Sequence, residues 1–126
     1  MTPLTSEPLH VLFVCLYNRQ RSATAERIFS KETTLDVRSA GVSADALVRV
    51  NARMLDWADV VFVMEDALAR AIARDFPASP ALQRLVSLDI PDDYLFLDPR
   101  LVELLRERTR PHLERLLAER GDTTAE

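Results

Sequence analysis

The sequence predicts an α/β fold: a single-domain, three-layer sandwich in which a four-stranded parallel sheet carries helices on both faces. Short apolar runs alternate with amphipathic segments, and this alternation is typical of parallel sheets built with right-handed crossovers. The length of 126 residues suits one domain with a substantial core. No internal repeat, low-complexity block or linker divides the chain.

The first elements are a strand, a helix and a second strand. Leu9 to Val14 is an apolar run broken only by His10, which is typical of a strand buried on both faces. Ser22 to Phe29 predicts a helix, because its apolar residues share one side. Leu35 to Ala40 predicts the second strand, and Gly41 after it would permit a sharp exit.

The middle of the chain predicts a helix, a strand and a further helix. In the region of Ala46 to Trp57, apolar residues recur at spacings of three and four, which favours an amphipathic helix with Leu47 on its apolar face. Val60 to Met64 is another apolar strand. Carboxylates at Glu65 and Asp66 suit the start of a helix that continues to about Arg74.

The last elements are a short strand and a long helix. Leu85 to Leu88 predicts the fourth strand. Asp98 is placed to cap the last helix and Pro99 to begin it, and its apolar stripe includes His112. Pro111 lies inside this helix and is expected to kink or break it.

Composition excludes several classes of protein. A single cysteine and two histidines cannot form an internal disulfide or a four-ligand zinc site, and two glycines cannot form a glycine-rich phosphate loop. The net charge of −4, with 16 basic residues spread along the chain, disfavours nucleic acid as a partner. No apolar run is long enough to span a bilayer and no signal peptide begins the chain, so we expect a soluble, cytoplasmic protein with no membrane partner.

The residues around Cys15 predict an anion-binding loop. Cys15 follows the first strand, and Arg21 and Ser22 follow six and seven residues later at the start of a helix. A loop in this position directs backbone N–H groups and the positive end of the helix toward a bound anion. The planar guanidinium of Arg21 suits two phosphate oxygens, and the same positive field favours the nucleophilic thiolate of Cys15.

These residues resemble the low-molecular-weight protein tyrosine phosphatases. That family carries Cys-Leu-Gly-Asn-x-x-Arg-Ser-x-x-Ala-Glu at this place, and the segment from Cys15 to Glu26 departs from it only at Tyr17. Ser39-Ala40-Gly41 and the strand from Ala58 to Met64 match further family segments, so the resemblance covers about residues 9 to 117. It implies a phosphatase-like domain over residues 9–120, which leaves a flexible N-terminus over 1–8 and a frayed tail over 121–126.

The resemblance also implies a function and a role for each residue. The function is hydrolysis of phosphate monoesters through a cysteinyl phosphate, without metal or cofactor, on a phosphorylated protein or a small aryl phosphate. Cys15 is the expected nucleophile, Ser22 stabilises it as it leaves, and Asp92 is the candidate general acid. Asn18, in a left-handed conformation, and Ser39 support the loop, and Tyr17 and Tyr94 are candidates to line the substrate slot. The expected phosphate-binding residues are Leu16, Tyr17, Asn18, Arg19, Gln20 and Arg21.

Several alternatives stay open at this point. Asp89, Asp93 and Asp98 compete with Asp92 as the acid, although Asp98 suits a helix cap. Cys15 is alternatively a buried core cysteine, or part of a module that binds phosphate or phosphoproteins without turnover. A thioredoxin-linked arsenate reductase needs further cysteines and rhodanese has a different loop, so both are set aside. Gln20 stands where some members have a second cysteine, so no disulfide within the loop is possible.

Overall fold

The computed structural model describes residues 7–120. The expectations for most of the N-terminal segment (1–6) and for the tail (121–126) therefore lie outside the described residues. The elements in chain order are β1 (Leu9–Cys15), α1 (Arg21–Phe29), β2 (Leu35–Gly41), α2 (Ala52–Trp57), β3 (Val60–Val63), α3 (Asp66–Asp75), a 3₁₀ helix (Pro80–Arg84), β4 (Leu85–Ser87) and α4 (Pro99–Glu119).

The four strands form one parallel sheet in the order β2-β1-β3-β4, which confirms the predicted α/β fold. Each strand ends within one residue of its prediction. With right-handed crossovers, α1 lies on one face of the sheet and α2 and α3 lie on the other, and α4 packs beside α1. The strand order reverses at β1, so the carboxyl end of β1 is the place where sheets of this kind bind ligands.

The core is formed around the two central strands. Phe13 of β1 is fully buried and stacks on Phe29 of α1 and on Phe62 of β3, with ring centroids 5.6 and 5.3 Å apart. The apolar residues of β1 and β3 are buried on both faces of the sheet. This packing fixes the position of β1 in the sheet and therefore the position of Cys15 at its carboxyl end.

The helix predicted over Ala46 to Trp57 is wrong in its first half. Only Ala52–Trp57 is helical, and Asn51 caps this helix by accepting a hydrogen bond from the Met54 N–H. Leu47, expected on the apolar face, is 66% exposed. Residues 42–50 form a loop instead, because their backbone groups bond to the loop after β1 and to Gly41, and these tertiary bonds override the helical spacing.

The long helix is capped as predicted and continues unbroken past Pro111. The Asp98 carboxylate accepts a hydrogen bond from the Arg100 N–H, as expected of a cap. Pro111 does not break α4, because it lies on the exposed side, where water can bond to the carbonyl oxygen that loses its helical partner. Leu113 is the buried residue of this turn, whereas His112 is only partly buried, with its ring tilted against Phe62.

Two further features were not foreseen. The 3₁₀ helix Pro80–Arg84 precedes β4 in a part of the chain where the sequence predicted no element. Gly41 does not adopt the left-handed conformation that a sharp exit would need. Its lack of a side chain matters instead because the Leu16 carbonyl oxygen and the Ala46 Cβ atom pack closely against it. Within residues 7–120, no helix is long and apolar enough to cross a membrane.

Candidate active site

The loop between β1 and α1 turns its carbonyl groups away from its centre. The carbonyl oxygens of Cys15, Leu16 and Tyr17 accept hydrogen bonds of 3.1, 3.0 and 3.1 Å from backbone N–H groups of the loop over residues 42–50. The described peptide bonds are all trans, so the N–H group of each of these peptides points the opposite way, into the concave side of the loop. The sequence expectation of an inward-facing set of donors is consistent with this geometry.

Cys15 lies at the base of the loop and is 3% exposed. Its sulfur accepts a hydrogen bond of 3.2 Å from the Asn18 N–H and lies 3.0 Å from the Ser22 hydroxyl oxygen. Ser22 Oγ accepts a hydrogen bond from the Asn18 amide, and its single proton can be donated either to the sulfur or to the Ala40 carbonyl oxygen, 3.3 Å away. Two hydrogen-bond donors, the Asn18 N–H and the Ser22 hydroxyl, therefore face the Cys15 sulfur at the base of the loop.

Asn18 lies in the loop between β1 and α1, with a left-handed backbone and a hydrogen-bonded side chain. Its φ of 59° is left-handed, which closes the loop without glycine. Its Nδ2 group donates to Ser22 Oγ and to Ser39 Oγ, each at 2.9 Å. Ser39 in turn donates to the carboxylate of Glu26. This buried chain of hydrogen bonds runs from Glu26 to Cys15 and joins β2 to the loop.

Helix α1 begins at the loop with unpaired backbone donors. Its N-cap residue, Gln20, makes no side-chain capping bond, and its first turn carries no acidic residue. The first helical bond joins the Thr24 N–H to the Gln20 carbonyl, so the N–H groups before Thr24 are not used within the helix. The start of α1 therefore adds further donors and a partial positive charge to the loop.

Arg21 is held by three groups from different parts of the chain. Its guanidinium is 3% exposed and donates to the Ile90 carbonyl oxygen at 2.8 Å. The carboxylates of Glu65 and Asp92 lie 3.3 and 3.7 Å from its nitrogens. A buried guanidinium needs such partners, and together they hold its planar fork beside Cys15.

Asp92 reaches the loop because the chain before it is tied to the sheet. The Leu88 and Ile90 N–H groups bond to the carbonyls of Val63 and Met64, which extends the pairing of β4 along β3. Ile90 is fully buried, and Asp92, two residues later, is brought over Arg21. The other candidate acids are placed differently: Asp89 and Asp93 are exposed and away from the cavity, and Asp98 caps α4.

The loop and Asp92 enclose a small cavity of about 150 Å³, which suits a phosphoryl group rather than a whole drug-sized ligand. Asn18, Ser22 and Ser39 lie behind it, and Tyr94 is partly buried against the core, away from the cavity and beneath Arg100. Within residues 7–120, no cluster of three or more histidine, cysteine or acidic side chains could hold a metal ion. The lining residues are Cys15, Leu16, Tyr17, Arg19, Gln20, Arg21 and Asp92.

Two features of the site were missed at the level of sequence. Glu65, expected only to begin a helix, is the nearer carboxylate to Arg21, and the Ile90 carbonyl was not considered. The place of Glu65 in the sequence is a signal that could have identified it as a site residue. Glu65 comes two residues after the end of β3, Cys15 is the last residue of β1, and parallel neighbouring strands end at the same edge of the sheet.

No family model matches the chain, and no curated protein matches it. Several solved structures are similar to it. The tyrosine phosphatase Wzb from Escherichia coli K30, solved with phosphate, shares 22% identity over 85% of this chain and 97% of its own, with a TM-score of 0.70. SP-PTP, a low molecular weight protein tyrosine phosphatase from Streptococcus pyogenes, shares 16% identity over 86% of this chain and 93% of its own, with a TM-score of 0.71.

A third similar structure has a different stated activity. The YwlE arginine phosphatase from Geobacillus stearothermophilus shares 22% identity over 89% of this chain and 97% of its own, with a TM-score of 0.64. The three structures are matched over almost their whole lengths. The chain therefore has the fold of the low molecular weight protein tyrosine phosphatases.

Proposed function

We propose that this chain is a cysteine-dependent phosphatase that hydrolyses phosphate monoesters, with phosphotyrosine in proteins as the favoured substrate. The observation that carries the proposal is that Cys15, Arg21 and Asp92 line one small cavity at the carboxyl end of β1. In this proposal residues 9–120 form the phosphatase domain. The fold shared with tyrosine and arginine phosphatases supports the same class of reaction.

In the first step the Cys15 thiolate attacks phosphorus in line with the bond to the leaving oxygen. The S–P bond forms as the P–O bond breaks, and protonated Asp92 gives its proton to the departing phenolate oxygen. Arg21, the inward N–H groups of the loop and the start of α1 hold the three equatorial oxygens as charge shifts among them. The products of this step are the free phenol, the Asp92 carboxylate and a cysteinyl phosphate.

In the second step water hydrolyses the cysteinyl phosphate. The Asp92 carboxylate takes a proton from the water as its oxygen attacks phosphorus, and the S–P bond breaks to release inorganic phosphate. The leaving thiolate is stabilised by the Ser22 hydroxyl, which lies 3.0 Å from the sulfur, and by the Asn18 N–H. The cycle ends with Cys15 as thiolate and Asp92 protonated, as it began.

The positive charge needed in both steps comes from the protein itself. Arg21, the loop N–H groups and the helix dipole face the phosphoryl site, so the proposed reaction needs no metal or cofactor. We expect full activity in the presence of EDTA. The cytoplasmic location expected from the sequence stays a prediction.

The test is turnover of p-nitrophenyl phosphate by the purified chain between about pH 5 and about pH 7. Cys15→Ser should abolish turnover, and Arg21→Lys should lower kcat by roughly 10²–10³, because lysine lacks the planar fork. Asp92→Asn should lower kcat by roughly 10²–10⁴ and flatten one limb of the pH profile. The neighbouring Asp89→Asn and Asp93→Asn variants are matched controls that should keep the wild-type profile.

The outcomes distinguish a phosphatase from a module that binds phosphate without turnover. Protein that binds phosphate or vanadate but gives no turnover at any of these pH values would be a phosphate-binding module and not a phosphatase. A wild-type pH profile in Asp92→Asn, with a flattened profile in Asp89→Asn or Asp93→Asn, would move the acid role to that neighbour.

A further inference from the structure

Arg19 carries a positive charge at the wall of the cavity and forms no ion pair with any of residues 7–120. The charge of Arg21 in the same cavity faces Glu65 and Asp92. The exposed guanidinium of Arg19 donates only to the backbone carbonyl oxygen of Asp45, at 3.4 Å. Among residues 7–120, no carboxylate lies within 4.0 Å of the Arg19 guanidinium.

The position of Arg19 determines which part of a substrate it meets. A cavity of about 150 Å³ holds the phosphoryl group, so the group that carries the phosphate lies at the rim. The rim here includes the side chains of Tyr17 and Arg19, which flank the left-handed turn at Asn18. The group beyond the phosphate therefore meets an aromatic ring and an unbalanced cation.

On the basis of the proposed function, we propose that Arg19 determines specificity by binding a second anionic group beside the phosphoryl group. In a protein substrate that group is an acidic side chain next to the phosphotyrosine. The same cation disfavours phosphoarginine, whose guanidinium carries a positive charge directly beside the phosphorus. Arg19 thus favours phosphotyrosine over phosphoarginine, and tyrosine and arginine phosphatases of this fold are both known.

The expected effect is modest and depends on salt. A partly exposed pair of charges about 5 Å apart changes kcat/KM by roughly three- to tenfold at low ionic strength. Raising the salt to about 0.5 M should remove most of this effect by screening. The net charge of the chain is −4, which by itself favours basic peptides, so a preference for acidic peptides has to come from a local cation.

The experiment compares three phosphotyrosine peptides that differ only in carrying Glu, Gln or Lys on both sides of the phosphotyrosine. We expect kcat/KM to fall in the order Glu, Gln, Lys, with about tenfold between the first and last at low salt. Arg19→Gln should bring the Glu-to-Lys ratio to about one or below, and Arg19→Glu should reverse the order. Arg27→Gln removes an equal charge from the exposed last turn of α1 and should keep the wild-type ratio.

A fourth peptide carries phosphoarginine in place of phosphotyrosine. Wild-type protein should hydrolyse it at least about tenfold less efficiently than the matched phosphotyrosine peptide, and Arg19→Glu should narrow that gap. Faster hydrolysis of the phosphoarginine peptide by the wild type would overturn the proposal. So would a wild-type preference for the Lys peptide, or a wild-type ratio that persists in Arg19→Gln.

Binding measurements test the role of Arg19 independently of the proposed phosphatase activity. Peptides with the non-hydrolysable phosphonomethylphenylalanine report affinity without turnover, and calorimetry should give the same Glu-to-Lys order and the same response to Arg19→Gln. If no phosphopeptide or aryl phosphate is hydrolysed but this order holds, the phosphatase assignment fails and the role of Arg19 stands. If turnover is normal and the affinities are independent of the flanking charge, the role of Arg19 fails alone.

Discussion

Gly41 lies directly behind the loop between β1 and α1, and adding one methyl group there should damage the candidate site more than the fold. A Cβ atom at this position would lie 2.5 Å from the Leu16 carbonyl oxygen and 2.7 Å from the Ala46 Cβ atom. It would also lie 3.0 Å from the Asn18 backbone nitrogen. Two of these three atoms belong to the loop that surrounds the cavity, so Gly41→Ala has to displace that loop.

The size of the displacement follows from these distances. Ordinary contacts of a Cβ atom begin at 3.4 Å, so the Leu16 oxygen has to move by about 0.9 Å. The peptide that carries this oxygen also carries the Tyr17 N–H, one of the inward donors. A misplacement of about 1 Å in catalytic geometry can cost roughly 10² in rate, while overpacking costs about 1–3 kcal/mol of stability.

The assay compares kcat/KM for p-nitrophenyl phosphate, vanadate affinity and the free energy of unfolding in urea. Gly41→Ala should lose roughly 10² in kcat/KM and about 1–3 kcal/mol of stability. The double variant Gly41→Ala/Ala46→Gly removes the contact with Ala46 but leaves the one with Leu16. It should recover stability and little activity, and Ala46→Gly alone is the control. Wild-type kcat/KM and vanadate affinity in Gly41→Ala would refute the argument that β2 fixes the loop.

Four further predictions concern the loop and the long helix. Asn18→Gly and Asn18→Ala should both lose activity because the amide bonds to Ser22 and Ser39 are lost, and the alanine variant should be less stable by about 1 kcal/mol because glycine tolerates the left-handed φ. Equal activity of Asn18→Gly and wild type would contradict this. Thr109→Val should raise the free energy of unfolding by about 1 kcal/mol, because the Thr109 hydroxyl is buried in α4 without a partner; a loss of stability in urea would argue against it. Asp98→Ala should cost about 1 kcal/mol and Asp98→Asn much less, since asparagine also caps α4; equal losses in the two variants would show that the cap bond is not the cause. Burial, and next the Arg115 charge, lower the pKa of His112, so the unfolded chain binds this proton more readily and stability falls as the pH drops through about 6.5. His112→Gln should lose less free energy of unfolding than wild type between about pH 7.5 and about pH 5.5, and an unchanged slope would rule His112 out as the source.

The strands and the loop between β1 and α1 were predictable because their signals are local. A run of apolar residues between polar ones defines each strand, and a cysteine where such a run ends, followed by an arginine at a helix start, defines the loop. The left-handed turn at Asn18 also follows from local chemistry, since asparagine adopts that conformation more readily than other side chains. Asp98 capped its helix for the same kind of reason.

The segment over residues 42–50 was not predictable because its conformation is set by a distant part of the chain. Leu47 and Val50 have helical spacing, but the Leu47 N–H is bonded to Tyr17 and the Val50 N–H to Gly41. These bonds turn the loop carbonyls outward and therefore contribute to the anion site. Local periodicity was overridden where the backbone was needed to build that site.

The position of the proposed general acid was only partly predictable for a related reason. Four aspartates between Asp89 and Asp98 are equivalent by residue type. They are distinguished by the bonds that extend β4 and by Arg108, which donates to the Leu88 and Asp89 carbonyl oxygens from α4. The geometry at Asp92 thus depends on a strand and a helix that are remote from it in sequence.

The two carboxylates beside Arg21 are compatible with the proposed role of Asp92 in proton transfer. Arg21 is buried, so its charge needs a counter-charge before any substrate binds. Glu65, at 3.3 Å and at the start of α3, supplies one that does not depend on Asp92. Asp92 lies at 3.7 Å and on a loop, and in the proposed mechanism it transfers the proton while Glu65 keeps a counter-charge beside the guanidinium. These two roles depend on the ends of β1 and β3 and the segment after β4 lying close together. Residue types and spacing alone therefore did not identify them.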